Sequence, residues 1–198
     1  MKSRDEVRRE LLRSEVEDVK VKKAMSVSEL IRLYRDSHGF TASSISKAVD
    51  ILYEMVTDDN ARRFLAFTAN IAATGLRGLL AQVIREGFFD VVITTCGTID
   101  HDIARSFGGA YYKGSFDVDD RMLHELDIHR LGNIYIPVES YGPLIERVVS
   151  EIVPKLVEEK KEWGVRELLE RVGMMIEDEN SILRAAADRG VPVYVPGI

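Results

Sequence analysis

Residues 91–102 read VVITTCGTIDHD, a run of β-branched residues that gives way to hydroxyls, a thiol, a glycine, and two aspartates around a histidine. The hydroxyls and backbone N–H groups of Thr95, Cys96 and Gly97 suit a polar ligand laid along a turn. The Asp100 carboxylate suits an ammonium partner. The His101 imidazole is the side chain whose charge changes near neutral pH; neutral it exchanges hydrogen bonds, charged it repels a cation. A second set lies upstream in FTANIAATG, where Thr68, Ala69, Asn70, Ile71, Ala72 and Ala73 follow an apolar run. Small side chains there let a ligand approach the backbone. A third, Pro137-Val138-Glu139-Ser140-Tyr141, follows GNIYI.

Each residue also has a plainer reading. Thr94 and Thr98 are the residue type that caps helices. Asp100 and Asp102 fall in what reads as the first helical turn, where the macrodipole favours acids without any ligand. His101 is equally a solvated surface residue. Cys96 has no flanking Lys or Arg to activate it, so packing is its default. Glu139 and Tyr141 line a strand mouth or simply open the next helix. His124 and His129 lack the i, i+4 spacing of a metal pair, so no metal site is expected.

The elements that must carry these groups are legible from periodicity and punctuation. Capping boxes at Ser3–Glu6 and Ser26–Glu29 open helices to about Lys23 and Ser37. His38-Gly39 stops the second. Residues 42–56 form a third, with Ile45, Val49, Leu52 and Val56 on one face. From residue 62 the pattern alternates. RRFLAFTAN, FFDVVITTCG, GNIYIPV and VPVYVPGI read as buried strands. ATGLRGLLAQVIREG, IDHDIARSFGG, VDDRMLHEL, SYGPLIERVVSEIVPKLVEEKK, GVRELLERVGMMIED and NSILRAAADRG read as helices, and AYYKGSF as a loop or edge strand. Strands apolar on both faces between helices predict an α/β fold with a largely parallel sheet, helices on both faces, and a helical N-terminal extension over residues 1–60. Ligands in such folds bind beyond the carboxyl ends of strands, and that rule selects the three polar segments. Neither G-x-G-x-x-G nor G-x-x-x-x-G-K-[ST] is present.

The 198 residues are 45% hydrophobic and 30% charged, enough for one domain with its own core, and the net charge is -6. An acidic balance argues against nucleic acid as a partner. One cysteine excludes an internal disulfide and fits a reducing cytoplasm. No apolar run approaches the ~20 residues that span a bilayer, and the charged N-terminus does not read as a signal peptide.

FTANIAATGLR, DVVITTCGTIDHDIAR, HRLGNIYIPVESY and GVPVYVPGI, in that order, resemble deoxyhypusine synthase, in particular its archaeal branch, from about Phe40 to Ile198. The resemblance implies a Rossmann-like core, NAD as cofactor, and a homotetramer with active sites between paired subunits. It implies transfer of the aminobutyl group of spermidine, through an imine on an enzyme lysine, to a lysine of the type 5A translation initiation factor. By position it places Thr68, Ala69, Asn70, Ile71, Ala72, Ala73, Thr95, Cys96 and Gly97 at the cofactor, and Asp100 and His101 at the polyamine. Ala69 and Ala73 depart from the family's serines, and His101 from an acid that many members carry.

The family's imine-forming lysine, glycine-rich cofactor loop and polyamine pocket have no counterpart in this sequence. The expectation is an amino-terminal portion that needs a complementing chain and is inactive alone. A homospermidine-forming aminobutyl transferase, a non-catalytic regulatory paralogue and a generic nucleotide-binding domain are the competing readings.

Overall fold

The computed structural model describes residues 2–196, so Gly197 and Ile198, the end of the expected last strand, lie outside the described residues. The chain divides into two compact units, residues 1–61 and 62–198.

The first unit holds α1 (Arg4–Leu11), α2 (Val27–Ser37) and α3 (Ala42–Thr57). Both capping boxes form. The Ser3 and Ser26 hydroxyls accept the amides of Glu6 and Glu29, whose carboxylates accept the serine amides in return. α1 stops at Leu11, well short of Lys23. None of its residues is buried, and a solvated helix this short lacks the packing that sustains helices. His38 itself takes the left-handed conformation (φ 48°) that ends α2, ahead of Gly39. Arg35 of α2 ties to α3, donating to Ser46 at 3.1 Å and to both Asp50 oxygens at 2.7 and 2.8 Å. The expected apolar face of α3 is open at Ile45, Val49 and Leu52.

In the second unit, β1 (Phe64–Ala66) leads through α4 (Ala69–Ala72) and α5 (Arg77–Arg85) to β2 (Val91–Ile93), followed by α6 (Cys96–Ser106). β3 (Tyr112–Lys113), α7 (Asp120–Glu125), β4 (Ile128–Leu131) and β5 (Ile134–Pro137) come next. Then α8 (Gly142–Glu159), α9 (Val165–Met174), α10 (Ile182–Arg189) and β6 (Val193–Tyr194) follow. β1, β2 and β6 pair in parallel, in the order β1-β2-β6, with Leu65, Val92 and Val193 in register. That row points into a core with Ala81 and Ile84 of α5, Ile99 and Ile103 of α6, Val148 and Ile152 of α8, and Leu183 and Ala186 of α10. Each large aliphatic buried this way contributes about 1.5–3 kcal/mol. On the other side of the sheet Phe64, Ala66 and Tyr194 are exposed.

GNIYIPV does not join the parallel sheet. β5 lies between β3 and β4 in a separate antiparallel sheet, and β4, over residues to which the sequence pattern assigns no element, is its hairpin partner. The turn is Gly132-Asn133, with Gly132 at φ +62°. A two-residue Gly-Asn loop between apolar runs is a hairpin signal, and it outweighs the continuous apolar run that suggested a buried parallel strand.

Candidate functional site

β1 and β2 end side by side, so the turns after them are neighbours. Thr94, at the end of β2, donates its hydroxyl to the Phe67 carbonyl at 2.8 Å and shares a 2.6 Å hydrogen bond with Thr98. Both threonines are buried, and they staple strand ends together rather than cap a helix. Thr95 is the residue that precedes α6, yet its hydroxyl makes no capping bond. It accepts the Ala69 amide, 3.1 Å away, from the other turn. Gly97 faces Ala69 so closely that a Cβ on it would sit 2.9 Å from the Ala69 Cβ.

Around this junction Thr68, Asn70, Thr95 and Cys96 are exposed, while Ala69, Ile71 and Gly97 are half-buried. The Thr68 hydroxyl is paired with the Asn70 side-chain oxygen. An open cavity of about 390 Å³ lies beside them, lined by Phe67, Thr68, Ile93, Thr95 and Pro196 among others. Ala72 and Ala73 are 0% and 2% exposed, so their side chains are buried away from the rim. Cys96 is exposed, contrary to its expected packing role.

α6 carries the second half of the site. Asp100 and Asp102 lie beyond its first turn, which contains no acid, so the macrodipole reading does not apply to them. Asp100 is half-buried and accepts the Tyr141 hydroxyl at 3.4 Å. Burial raises its carboxyl above the ordinary value, and the Tyr141 hydrogen bond offsets part of that. Burial, with the nearby Asp100, pushes the Tyr141 hydroxyl up to about 12.

His101 is not a surface residue. It is 4% exposed, clamped edge-on by Tyr111 and at a tilt by Tyr141, with ring centroids 5.6 and 5.2 Å away. Its Nδ1 is 2.8 Å from the Tyr111 hydroxyl. Burial, then the Arg105 cation, lowers its pKa, which keeps the ring neutral at pH 7. Tyr111 reaches α6 because Gly109 packs against the Ala104 and Ser140 carbonyls, where a Cβ would lie 2.7 and 2.6 Å from the two oxygens.

Asp102, on the opposite side of α6, is structural. It is fully buried and accepts Arg77 Nε at 2.6 Å, Ser181 Oγ at 2.8 Å, and the amides of Ile182 and Leu183 at 3.1 and 2.9 Å. A side chain from α6 thereby caps α10. Arg77 also donates to Asp178 and Ser106, at 2.7 and 2.6 Å.

The structure thus joins Thr68–Ile71 to Thr95–Gly97 and sets Asp100 and His101 on the following helical turn. Of the third segment only Tyr141 arrives, and Glu139 is exposed. Sequence reasoning missed Tyr111, Arg105 and Arg77. Arg77 had a signal, because it shares the buried helical phase of Ala81 and Ile84, where an arginine needs buried acids. Tyr111 sits in an irregular loop with no period to mark it.

Comparison with known proteins identifies the family. Residues 29–198 match the family described as deoxyhypusine synthase. Proteins from Sulfurisphaera tokodaii and Ignicoccus hospitalis, both named "Probable deoxyhypusine synthase", are each 53% identical over 96% of this chain. The chain spans 61% and 59% of their lengths, about three-fifths. A crystal structure from Entamoeba histolytica, assigned as a deoxyhypusine synthase, superposes with a TM-score of 0.61 at 17% identity, over 92% of this chain and 62% of that one. That likeness concerns the α/β, Rossmann-like fold. The chain belongs to the deoxyhypusine synthase family.

Proposed function

We propose that this chain supplies the cofactor-binding and amine-binding part of an NAD-dependent deoxyhypusine synthase, which transfers the aminobutyl group of spermidine to a lysine of the type 5A translation initiation factor. The carrying observation is the Thr95–Ala69 hydrogen bond, which fuses two polar turns one helical turn from Asp100.

The donor set fits a dinucleotide. At the start of the 11-residue α6 the Cys96 and Gly97 amides precede any intrahelical partner, an arrangement that suits phosphate. Thr68, Asn70 and Thr95 offer side-chain hydrogen bonds at the exposed rim. The Ala69 amide is already taken by Thr95, so this residue shapes the seat rather than touching the ligand. Bound NAD supplies hydride acceptance. Asp100 receives an ammonium of spermidine, whose charge offsets the burial that disfavours the carboxylate.

The reading includes assembly with further copies and with a chain carrying the imine-forming lysine. The Phe64–Ala66–Tyr194 side of the sheet offers that chain exposed apolar surface. The test combines the purified chain, a polypeptide carrying the family's remaining portion, NAD, radiolabelled spermidine and the factor. Labelled factor is expected only from the mixture. Turnover by this chain alone overturns the need for a complement, and an inert mixture overturns the assignment of activity.

A further inference from the structure

We propose that Tyr111 is a positioning residue that fixes His101 in its Nε2–H tautomer, so that His101 meets a ligand as a hydrogen-bond donor and leaves ammonium recognition to Asp100. The donor role toward a ligand rests on the function proposed above; the tautomer does not.

The argument starts from the 2.8 Å contact between Tyr111 Oη and His101 Nδ1. Either group can donate. An imidazole nitrogen lone pair is the better acceptor, and the phenol O–H has no other acceptor among the described residues. Burial raises the Tyr111 hydroxyl above its ordinary value, so it keeps its proton. Donation from Tyr111 to Nδ1 leaves the neutral ring's own proton on Nε2. The groups facing this ring are Arg105 of α6, Tyr111, and Tyr141, whose hydroxyl is donated to Asp100. Arg105 also stands over the Tyr111 ring, 5.6 Å from its centroid, and opposes a second cation in the cluster.

Among the described residues Nε2 itself has no protein partner, although the residue is 96% buried by its 4% exposure. Among the described residues no fully buried side-chain nitrogen or oxygen lacks a partner, so Nε2 must open onto accessible space. A fixed N–H aimed outward fits a carbonyl, hydroxyl or phosphate oxygen, such as a dinucleotide carries. It cannot accept a proton from an ammonium while the tautomer holds. Asp100, acceptor-only when ionised, is left as the partner for an amine.

The chain has four histidines, and the other three, His38, His124 and His129, are exposed. Long-range ¹H–¹⁵N spectra of the full chain labelled with ¹⁵N-histidine therefore resolve each ring, with His101→Gln giving the assignment. His101 is expected as the Nε2–H tautomer, and Tyr111→Phe is expected to release it into a mixture like that of the exposed histidines. An Nδ1–H tautomer in the unsubstituted chain overturns the proposal, whether or not Tyr111→Phe folds. So does a tautomer unchanged in a folded Tyr111→Phe. Titration with NAD is expected to move the His101 Nε2 resonance, and spermidine alone is not. The reverse pattern overturns the donor role. No movement with either ligand, at an intact tautomer, counts against the proposed function and not against the Tyr111–His101 pairing.

Discussion

The Thr95 hydroxyl accepts the Ala69 amide at 3.1 Å, linking the residue that precedes α6 to the first residue of α4. A capping residue usually spends its hydroxyl on its own helix. Here that bond is given to the neighbouring turn, so two loops 26 residues apart in sequence hold one geometry. Thr95→Val removes the acceptor and leaves the Ala69 amide without its partner. The expected cost is about 0.5–1.5 kcal/mol, read from the denaturant midpoint. Thr95→Ser keeps the oxygen and is expected to retain most of the stability. NAD affinity measured on folded protein should follow the same order.

Gly97 makes the same junction from the packing side. Its would-be Cβ stands 2.9 Å from that of Ala69, closer than real Cβ atoms approach. Gly97→Ala is expected to cost about 1–3 kcal/mol by overpacking. The double variant Gly97→Ala with Ala69→Gly removes the collision and should recover part of that loss. Additive losses in the double-mutant cycle would show that the two residues do not press on each other.

Asp102 tests the buried ion network. Asp102→Ala strands Arg77 in the core with only Asp178 and Ser106 as polar side-chain partners, and leaves the Ile182 and Leu183 amides unsatisfied. Removing one member of a buried pair costs about 3–5 kcal/mol. The thermal midpoint should fall steeply, and protection of the α10 amides in hydrogen exchange should fall with it. Asp102→Asn keeps one carbonyl acceptor and is expected to lose less.

Particular residues show what the sequence could and could not convey. Ser3–Glu6 and Ser26–Glu29 were readable because a capping box is local, and both form. The parallel pairing of β1 and β2 was readable from apolar runs separated by a helical pattern. The Gly132-Asn133 hairpin signal is equally local, but the continuous apolar run of GNIYIPV competes with it by reading as a buried parallel strand. Asp102 and His101 differ in kind. They are adjacent on one helix, yet one faces Arg77 and Ser181 and the other faces Tyr111 and Tyr141. Nothing in IDHDIAR separates these roles, because their partners come from residues up to 81 positions away.

Acid should weaken the fold through His101, and the sign follows from its environment. Burial and Arg105 place its folded-state pKa below the ordinary imidazole value of 6.5. The unfolded chain therefore binds a proton first as pH falls, and stability drops with falling pH. Well above pH 6.5 both states are neutral at this residue and the term vanishes; at pH 6.5 the unfolded ring is already half protonated. Below it the loss grows until pH reaches the folded-state value, where it levels off. Asp100, whose carboxyl is raised by burial, contributes with the opposite sign, and only as carboxylates begin to titrate. The measurement is urea denaturation at pH 7.5, 6.5 and 5.5 for the unsubstituted chain and for His101→Gln. The difference between the two proteins should shift toward the variant as pH falls, slightly between 7.5 and 6.5 and more steeply between 6.5 and 5.5. A parallel pH dependence in both would mean that the His101 ring is reached by water and protonates as freely as an exposed histidine.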